Sequence, residues 1–136
     1  MSLLRAENVN KSFGGVHAVR NVSISVPEKS IFALIGPNGA GKSTLLNLLS
    51  GVYQPDAGTL TFGDKQLGGL PAYARVRLGI ARTFQKIRLF KQLSLLENVM
   101  AGFHIHQDTP FWQHLLLGDT GRFKSDAREL LDFVGL

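Results

Sequence analysis

The chain has 136 residues, 44% hydrophobic and 18% charged, with a formal net charge of +5. That suffices for one modest domain with a core, and it is too apolar for a chain disordered by composition. The absence of cysteine excludes disulfides and thiolate metal sites, no run approaches the roughly 18 apolar residues of a membrane span, and Met1-Ser2-Leu3-Leu4-Arg5-Ala6-Glu7 does not read as a secretory leader, so a cytosolic protein fits best.

Leu3 to Val9 reads as a strand. Val22, Ile24 and Val26 alternate with Ser23 and Ser25, the pattern of a half-buried antiparallel strand. Pro27-Glu28-Lys29 is a turn. Ser30-Ile31-Phe32-Ala33-Leu34-Ile35 is a short, mostly apolar run, as expected of a buried parallel strand. Lys42 to Ser50 reads as a helix, with Leu45, Leu46, Leu48 and Leu49 on its core side and Gly51 as its stop.

Pro55-Asp56-Ala57-Gly58 is a turn before the strand Thr59-Leu60-Thr61-Phe62, and Gly63-Asp64 is another. Pro71 begins a short helix through about Leu78, and Ile80-Ala81-Arg82-Thr83-Phe84 is a second candidate central strand. Ser94-Leu95-Leu96-Glu97 forms a capping box that opens a helix running to about His104. Residues 107–123 look like an irregular insertion. Ser125 to Phe133 reads as a final amphipathic helix, with Ala127, Leu130, Leu131 and Val134 at helical spacing.

Between the apolar run and the helix lies Gly36-Pro37-Asn38-Gly39-Ala40-Gly41-Lys42-Ser43, a match to G-x-x-x-x-G-K-[S/T], the Walker A phosphate loop. A strand feeding a glycine loop that opens a helix is the context the motif requires. Gly36, Gly39 and Gly41 allow backbone angles and close approaches that a Cβ would block. Successive N–H groups then form an anion nest at the positive end of the helix. Lys42 supplies a full charge to the β- and γ-phosphates, Ser43 a hydroxyl to Mg²⁺, and Thr44 lies toward the α-phosphate. The ligand is a nucleoside triphosphate.

The positive charge is concentrated in Arg75, Arg77, Arg82, Lys86, Arg88 and Lys91. Nucleic-acid binding would want stacking aromatics interleaved with such a patch, and Tyr73, Phe84 and Phe90 are spaced for core packing instead. A basic face near phospholipid headgroups or a protein partner is the reading kept, with no nucleic acid. His104 and His106 are two apart and do not share a helix face, so neither they nor His114 make a metal site.

Walker A alone could belong to a kinase, a GTPase or a transporter motor; the surrounding residues choose. Asn8-Val9-Asn10-Lys11-Ser12-Phe13-Gly14-Gly15 with Ala18-Val19-Arg20-Asn21-Val22-Ser23 resembles the N-terminal sheet of ABC-transporter ATPase domains. Gly36 to Thr44 resembles that family's Walker A almost letter for letter, and Gln54-Pro55-Asp56-Ala57-Gly58 its turn before the next strand. Arg82-Thr83-Phe84-Gln85 resembles its Q-loop, and Leu89-Phe90 through Leu93-Ser94-Leu95-Leu96-Glu97-Asn98-Val99 the start of its helical subdomain. Ile80 to Gln85 and Arg88-Leu89-Phe90 narrow the likeness to ATP-binding subunits of branched-chain amino-acid importers, with urea-type and lipopolysaccharide-export motors as alternatives.

The resemblance implies an α/β fold, a P-loop NTPase with a RecA-like core, an antiparallel β-subdomain and the start of a helical subdomain, incomplete. Residues 1–85 would hold the β-subdomain and core, and 86–136 the start of the helical subdomain. It implies ATP and Mg²⁺ as ligands. Gly36, Pro37, Asn38, Gly39, Ala40, Gly41, Lys42, Ser43 and Thr44 would form the phosphate site. Phe13 would stack on adenine and Val19 would contact the ribose or base. Gln85 would contact Mg²⁺ and the attacking water. The implied partners are transmembrane permease subunits, docked near the basic stretch, and a second ATP-binding subunit. The implied location is peripheral, on the cytoplasmic face of the inner membrane.

The family's remaining motifs are not among these residues. Leu67-Gly68-Gly69-Leu70 lacks the serine and glutamine of L-S-G-G-Q, and Leu130-Leu131-Asp132-Phe133 is too short for a Walker B strand and has no following glutamate. The sequence therefore looks like the N-terminal half of a cassette. The expectations are nucleotide binding with slow or absent hydrolysis, exposed sheet edges and apolar faces, and a tendency to aggregate. A binding module without turnover is the rival reading; a small P-loop kinase would need an acceptor site and an arginine lid.

Overall fold

A computed structural model of the chain describes residues 2–84, 89–103 and 121–136, with side chains from residue 124 onward in the last stretch. Gln85, Lys86, Arg88, His104, His106, His114 and nearly all of the expected insertion lie outside the described residues. The chain divides into two compact units, Met1–Arg82 and Thr83–Leu136.

In the first unit β1 (Ser2–Phe13) and β2 (Val16–Pro27) form a long antiparallel hairpin around Gly14-Gly15. Both strands run further than the apolar alternation indicates. β3 (Ala57–Phe62) pairs antiparallel with the other edge of β1, and the two-residue β4 (Lys65–Gln66) pairs with β3, giving the order β2-β1-β3-β4. The register sets Ala6 opposite Ile24 on one side and Leu60 on the other. Period-2 alternation directs these residues to one face.

Helix α1 (Lys42–Leu49) contributes Leu45, Leu48 and Leu49 to the core, which also contains Ala6, Val9, Val19, Leu60 and Leu67. Leu46 is exposed, unlike its three neighbours, because an eight-residue helix buries one stripe rather than every leucine. Gly51 follows with φ of 82° and ends the helix, as its position predicts. A Cβ there would also meet Arg75 Nε at 2.9 Å.

Two expected strands are not formed. Residues 30–36 and 80–84 have no ladder pairing among the described residues. Leu34 and Ile80 pack against the core, but Ile31 and Ile35 face solvent almost completely. A strand is defined by its neighbours, and none of the described strands lies beside these runs. Apolar exposure of the kind expected is thus present in this unit.

Helix α2 (Ala72–Arg77) starts one residue after Pro71, which stands at its N-cap. Arg75 on this helix is fully buried. Its guanidinium donates to the carbonyls of Leu48 at 2.5 Å, Leu49 at 3.0 Å, Leu67 at 2.8 Å and Leu70 at 3.0 Å, and to Gln54 Oε1 at 3.3 Å. Arg82 donates to Asn47 Oδ1 at 2.5 Å and Ser50 Oγ at 3.2 Å. The expected basic face is therefore reduced. Arg75 binds the carbonyl end of α1, where the helix dipole favours cations, Arg82 is half-buried against the side chains of Asn47 and Ser50, and Arg77 and Lys91 are the exposed members among the described residues.

In the second unit, α3 (Leu95–Phe103) packs with α4 (Gly121–Phe133). The capping box is formed: the Ser94 N–H donates to Glu97 Oε2 at 2.7 Å and the Glu97 N–H donates to Ser94 Oγ at 3.3 Å. The Ser94 hydroxyl, which also donates to Glu97 Oε2 at 2.7 Å, and then the Ser94 N–H hold the Glu97 carboxyl below the usual carboxylate range. Asn98 ties down the preceding turn, accepting from the Phe90 N–H at 2.9 Å and donating to the carbonyls of Phe90, Leu93 and Ser94. On α4, Ala127 is buried, whereas Leu130 and, just past the helix end, Val134 are exposed despite their helical spacing. No helix among the described residues is long and apolar enough to cross a membrane.

Candidate nucleotide-binding site

The glycine loop has the local geometry that its sequence predicts. Gly39 and Gly41 adopt φ of 83° and 81°. The Ala40 N–H donates to the Pro37 carbonyl at 3.3 Å, and the Leu45 N–H closes the first helical turn on Gly41 at 2.8 Å. Gly41 answers two constraints at once. Its left-handed conformation disfavours any L side chain, and a Cβ would collide with the carbonyl of Ala18 on β2 and lie 3.5 Å from Val19 Cγ2. The loop is thereby seated directly on the hairpin.

Helix α1 begins at Gly41 with no side-chain cap and no acidic residue in its first turn. Its leading N–H groups have no side-chain acceptor, and the dipole adds positive potential there. Lys42 bends back over the loop, donating from Nζ to the carbonyls of Gly36 at 2.7 Å and Pro37 at 2.6 Å. Ser43 is exposed and Thr44 half-buried on this first turn. Uncapped amides, one ammonium and a hydroxyl make up a donor set suited to a polyphosphate and a hard divalent cation. Among the described residues there is no group of three or more His, Asp or Glu that could hold a metal by itself.

Phe13 ends β1 and is 42% exposed, so a ring face can be offered to a ligand. Its ring meets that of Tyr53 at 5.1 Å between centroids and 65° between planes. Lys11 Nζ lies over the Phe13 ring, 5.4 Å from its centroid. Lys11 is in turn held by Asp56 Oδ1 at 2.6 Å, while Asp56 Oδ2 accepts the Ser12 N–H at 2.7 Å. These two bonds keep the Asp56 carboxyl below its ordinary range. Val19 is 5% exposed and belongs to the core, beside the backbone of Gly41. Gln85 lies outside the described residues.

Sequence reasoning singled out Phe13 but missed Tyr53, Lys11 and Asp56 around it. An aromatic two residues past a helix-ending glycine, and an acid in a Pro-Asp turn, were the available signals.

Residues 19–136 match the family described as ABC transporter. The chain is 42% identical over 130 residues to the high-affinity branched-chain amino acid transport ATP-binding protein LivG of Salmonella typhimurium, covering 96% of this chain and 50% of that one. It is 38% identical over 132 residues to the corresponding protein BraF of Pseudomonas aeruginosa, covering 97% and 51%. A ribose import ATP-binding protein of Rhizobium meliloti is 46% identical over 129 residues, 95% of this chain and 24% of that protein. Among solved structures, a nucleotide-free ATP-binding cassette from an ABC transporter superposes with a TM-score of 0.78 at 33% identity, over 98% of this chain and 54% of its own. The chain spans about half the length of the branched-chain relatives it matches. Its fold is that of the P-loop ATPase cassettes, with the antiparallel sheet described and without parallel core strands among the described residues. The chain belongs to the ABC transporter family.

Proposed function

We infer that this chain is nucleotide-binding sequence from the energy-coupling subunit of an ABC importer, with branched-chain amino acids as the solute class. The observation that carries the reading is the loop at Gly41, pressed against Ala18 at the uncapped start of α1 with Lys42 above it. The loop amides and Lys42 would bind the β- and γ-phosphates, with Thr44 toward the α-phosphate. Ser43 and Gln85 would hold Mg²⁺, Gln85 also contacting the attacking water. Phe13 would stack on adenine, and Val19, buried under Gly41, would support the loop and the ribose side of the ligand. Residues 1–85 would serve as the β-subdomain and core, and 86–136 as the start of the helical subdomain.

Transmembrane permease subunits and a second ATP-binding subunit would be its partners, at the cytoplasmic face of the inner membrane. The solute class rests on the functions named for the two branched-chain relatives. The 46% identity to a ribose import protein favours a sugar importer as the second reading. Phosphoryl transfer also needs a metal-holding aspartate on a Walker B strand, and none is found in these 136 residues. This stretch by itself would bind nucleotide without turning it over.

Photolabelling with 8-azido-ATP and Mg²⁺, followed by peptide mapping, tests the assignment. Label on peptides containing Phe13 or the glycine loop, displaced by excess ATP, is the expected result. Label spread over the surface, or not displaced by ATP, would overturn it.

A further inference from the structure

The aromatic at the end of β1 does not stand alone. Phe13 is the last residue of its strand, with the Gly14-Gly15 turn immediately after it. An exposed ring at such a place would move freely among rotamers unless something held it. Two side chains do so. Tyr53 meets the ring at 5.1 Å with planes inclined by 65°, the favoured edge geometry for an aromatic pair. Lys11 sets its ammonium over the ring at 5.4 Å.

Each holder is itself anchored. The Tyr53 N–H donates to the Asn47 carbonyl of α1 at 3.1 Å, and the Val52 N–H donates to the same oxygen at 2.9 Å. Lys11 is fixed by Asp56, whose own N–H donates to the Asn10 carbonyl at 2.9 Å. The N-terminal end of α1 forms the phosphate loop, and its C-terminal end carries Tyr53. One helix therefore fixes both the place for phosphates and the place for a ring.

We propose that Tyr53 and Lys11 are positioning residues for the base of a purine nucleoside triphosphate: they hold the Phe13 ring in the orientation in which it stacks, and so set the preference for nucleotide over bare polyphosphate. The inference rests on the nucleotide-site reading above and deepens it. Neither residue is hydrogen-bonded to Lys42 or the glycine loop among the described residues, so the proposal assigns their effect to the base. Tyr53 acts through its ring, because its hydroxyl has no hydrogen-bond partner among the described residues.

The test is calorimetric titration of the full chain with MgATP and with Mg-tripolyphosphate. Tyr53→Leu should weaken MgATP by roughly three- to tenfold, the worth of one aromatic edge contact, and leave tripolyphosphate unchanged. Lys11→Met should act in the same direction, and Tyr53→Phe should bind both ligands like the parent. Equal losses for both ligands in Tyr53→Leu, or no loss for either, would overturn the proposal, as would a Tyr53→Phe variant as weak as Tyr53→Leu. Lys42→Ala separates this from the underlying reading. If it leaves both affinities intact, the phosphate site itself falls; if it abolishes both while Tyr53→Leu keeps the ATP preference, only the positioning role falls.

Discussion

Lys42 Nζ and the Gly36 carbonyl oxygen are 2.7 Å apart, so the lysine is hydrogen-bonded to the loop whose ligand it is proposed to hold. A second bond to the Pro37 carbonyl, at 2.6 Å, completes the arrangement. The ammonium is thereby kept on the loop carbonyls, with no acidic partner among the described residues. An incoming polyphosphate exchanges neutral carbonyl acceptors for charged oxygens, which are the stronger partners.

Gly41→Ala should disable the loop. The substitution strains a residue with φ of 81° and drives a methyl group into the Ala18 carbonyl. Strain of this kind costs about 1–3 kcal/mol, and the backbone must shift in addition. We expect MgATP affinity at least tenfold weaker by calorimetry and a lower urea midpoint. Unchanged values for both would show that β2 does not seat the loop.

Arg75→Met should destabilise the first unit strongly. Removing the guanidinium strands the Leu49 carbonyl and takes a charged donor from those of Leu48, Leu67 and Leu70, which keep only the Gly51 N–H, the Leu70 N–H and the Gln54 side-chain amide. A stranded acceptor costs about 1–3 kcal/mol and a hydrogen bond to a charged group contributes about 1.5–3 kcal/mol, so a total loss of about 3 kcal/mol or more in urea unfolding is expected. Arg75→Lys should recover only part of it, because one ammonium cannot reproduce the planar fork. Burial pushes the Arg75 pKa down, yet an arginine remains charged at any physiological pH.

Asp56 gives the first unit a pH-dependent contribution. Its carboxyl is held below the ordinary value of about 4 by the Lys11 bond first and the Ser12 amide second. The folded form therefore binds fewer protons than the unfolded form near that pH. The resulting stability is fully present above the ordinary pKa and is lost as pH falls through the lower folded value. Urea midpoints of the parent should decline from about pH 5 to about pH 3 more steeply than those of Asp56→Asn. Parallel curves would show that the clamp carries no linkage.

The exposed apolar run should drive self-association. Ile31 and Ile35 face solvent, while Leu34 between them packs on the core. Ile31→Thr with Ile35→Thr should reduce light scattering at a given concentration and leave the unfolding free energy within about 0.5 kcal/mol. Scattering equal to the parent's would place the cause of association elsewhere.

What the sequence discloses here follows from how local each feature is. The loop, α1 with its Gly51 stop, and the Ser94–Glu97 box depend on residues within a few positions of one another, and all formed as expected. Residues 30–36 and 80–84 are apolar enough to be strands, but ladder formation needs neighbours far along the chain. Arg75 was counted with a surface charge cluster because charge is visible in sequence. Its main-chain acceptors lie in two separate segments, residues 48–49 and 67–70, which no residue pattern displays. Tyr53 escaped notice for a related reason: its contact with Phe13 joins positions 40 residues apart.

The central claim is that the loop from Gly36 to Thr44 binds the polyphosphate of a nucleotide. Its most direct test is calorimetric titration of MgATP into the full 136-residue chain and its Lys42→Ala variant under identical conditions. One saturable site in the parent and no measurable binding in the variant is the predicted result. Equal affinity in the two proteins would contradict it.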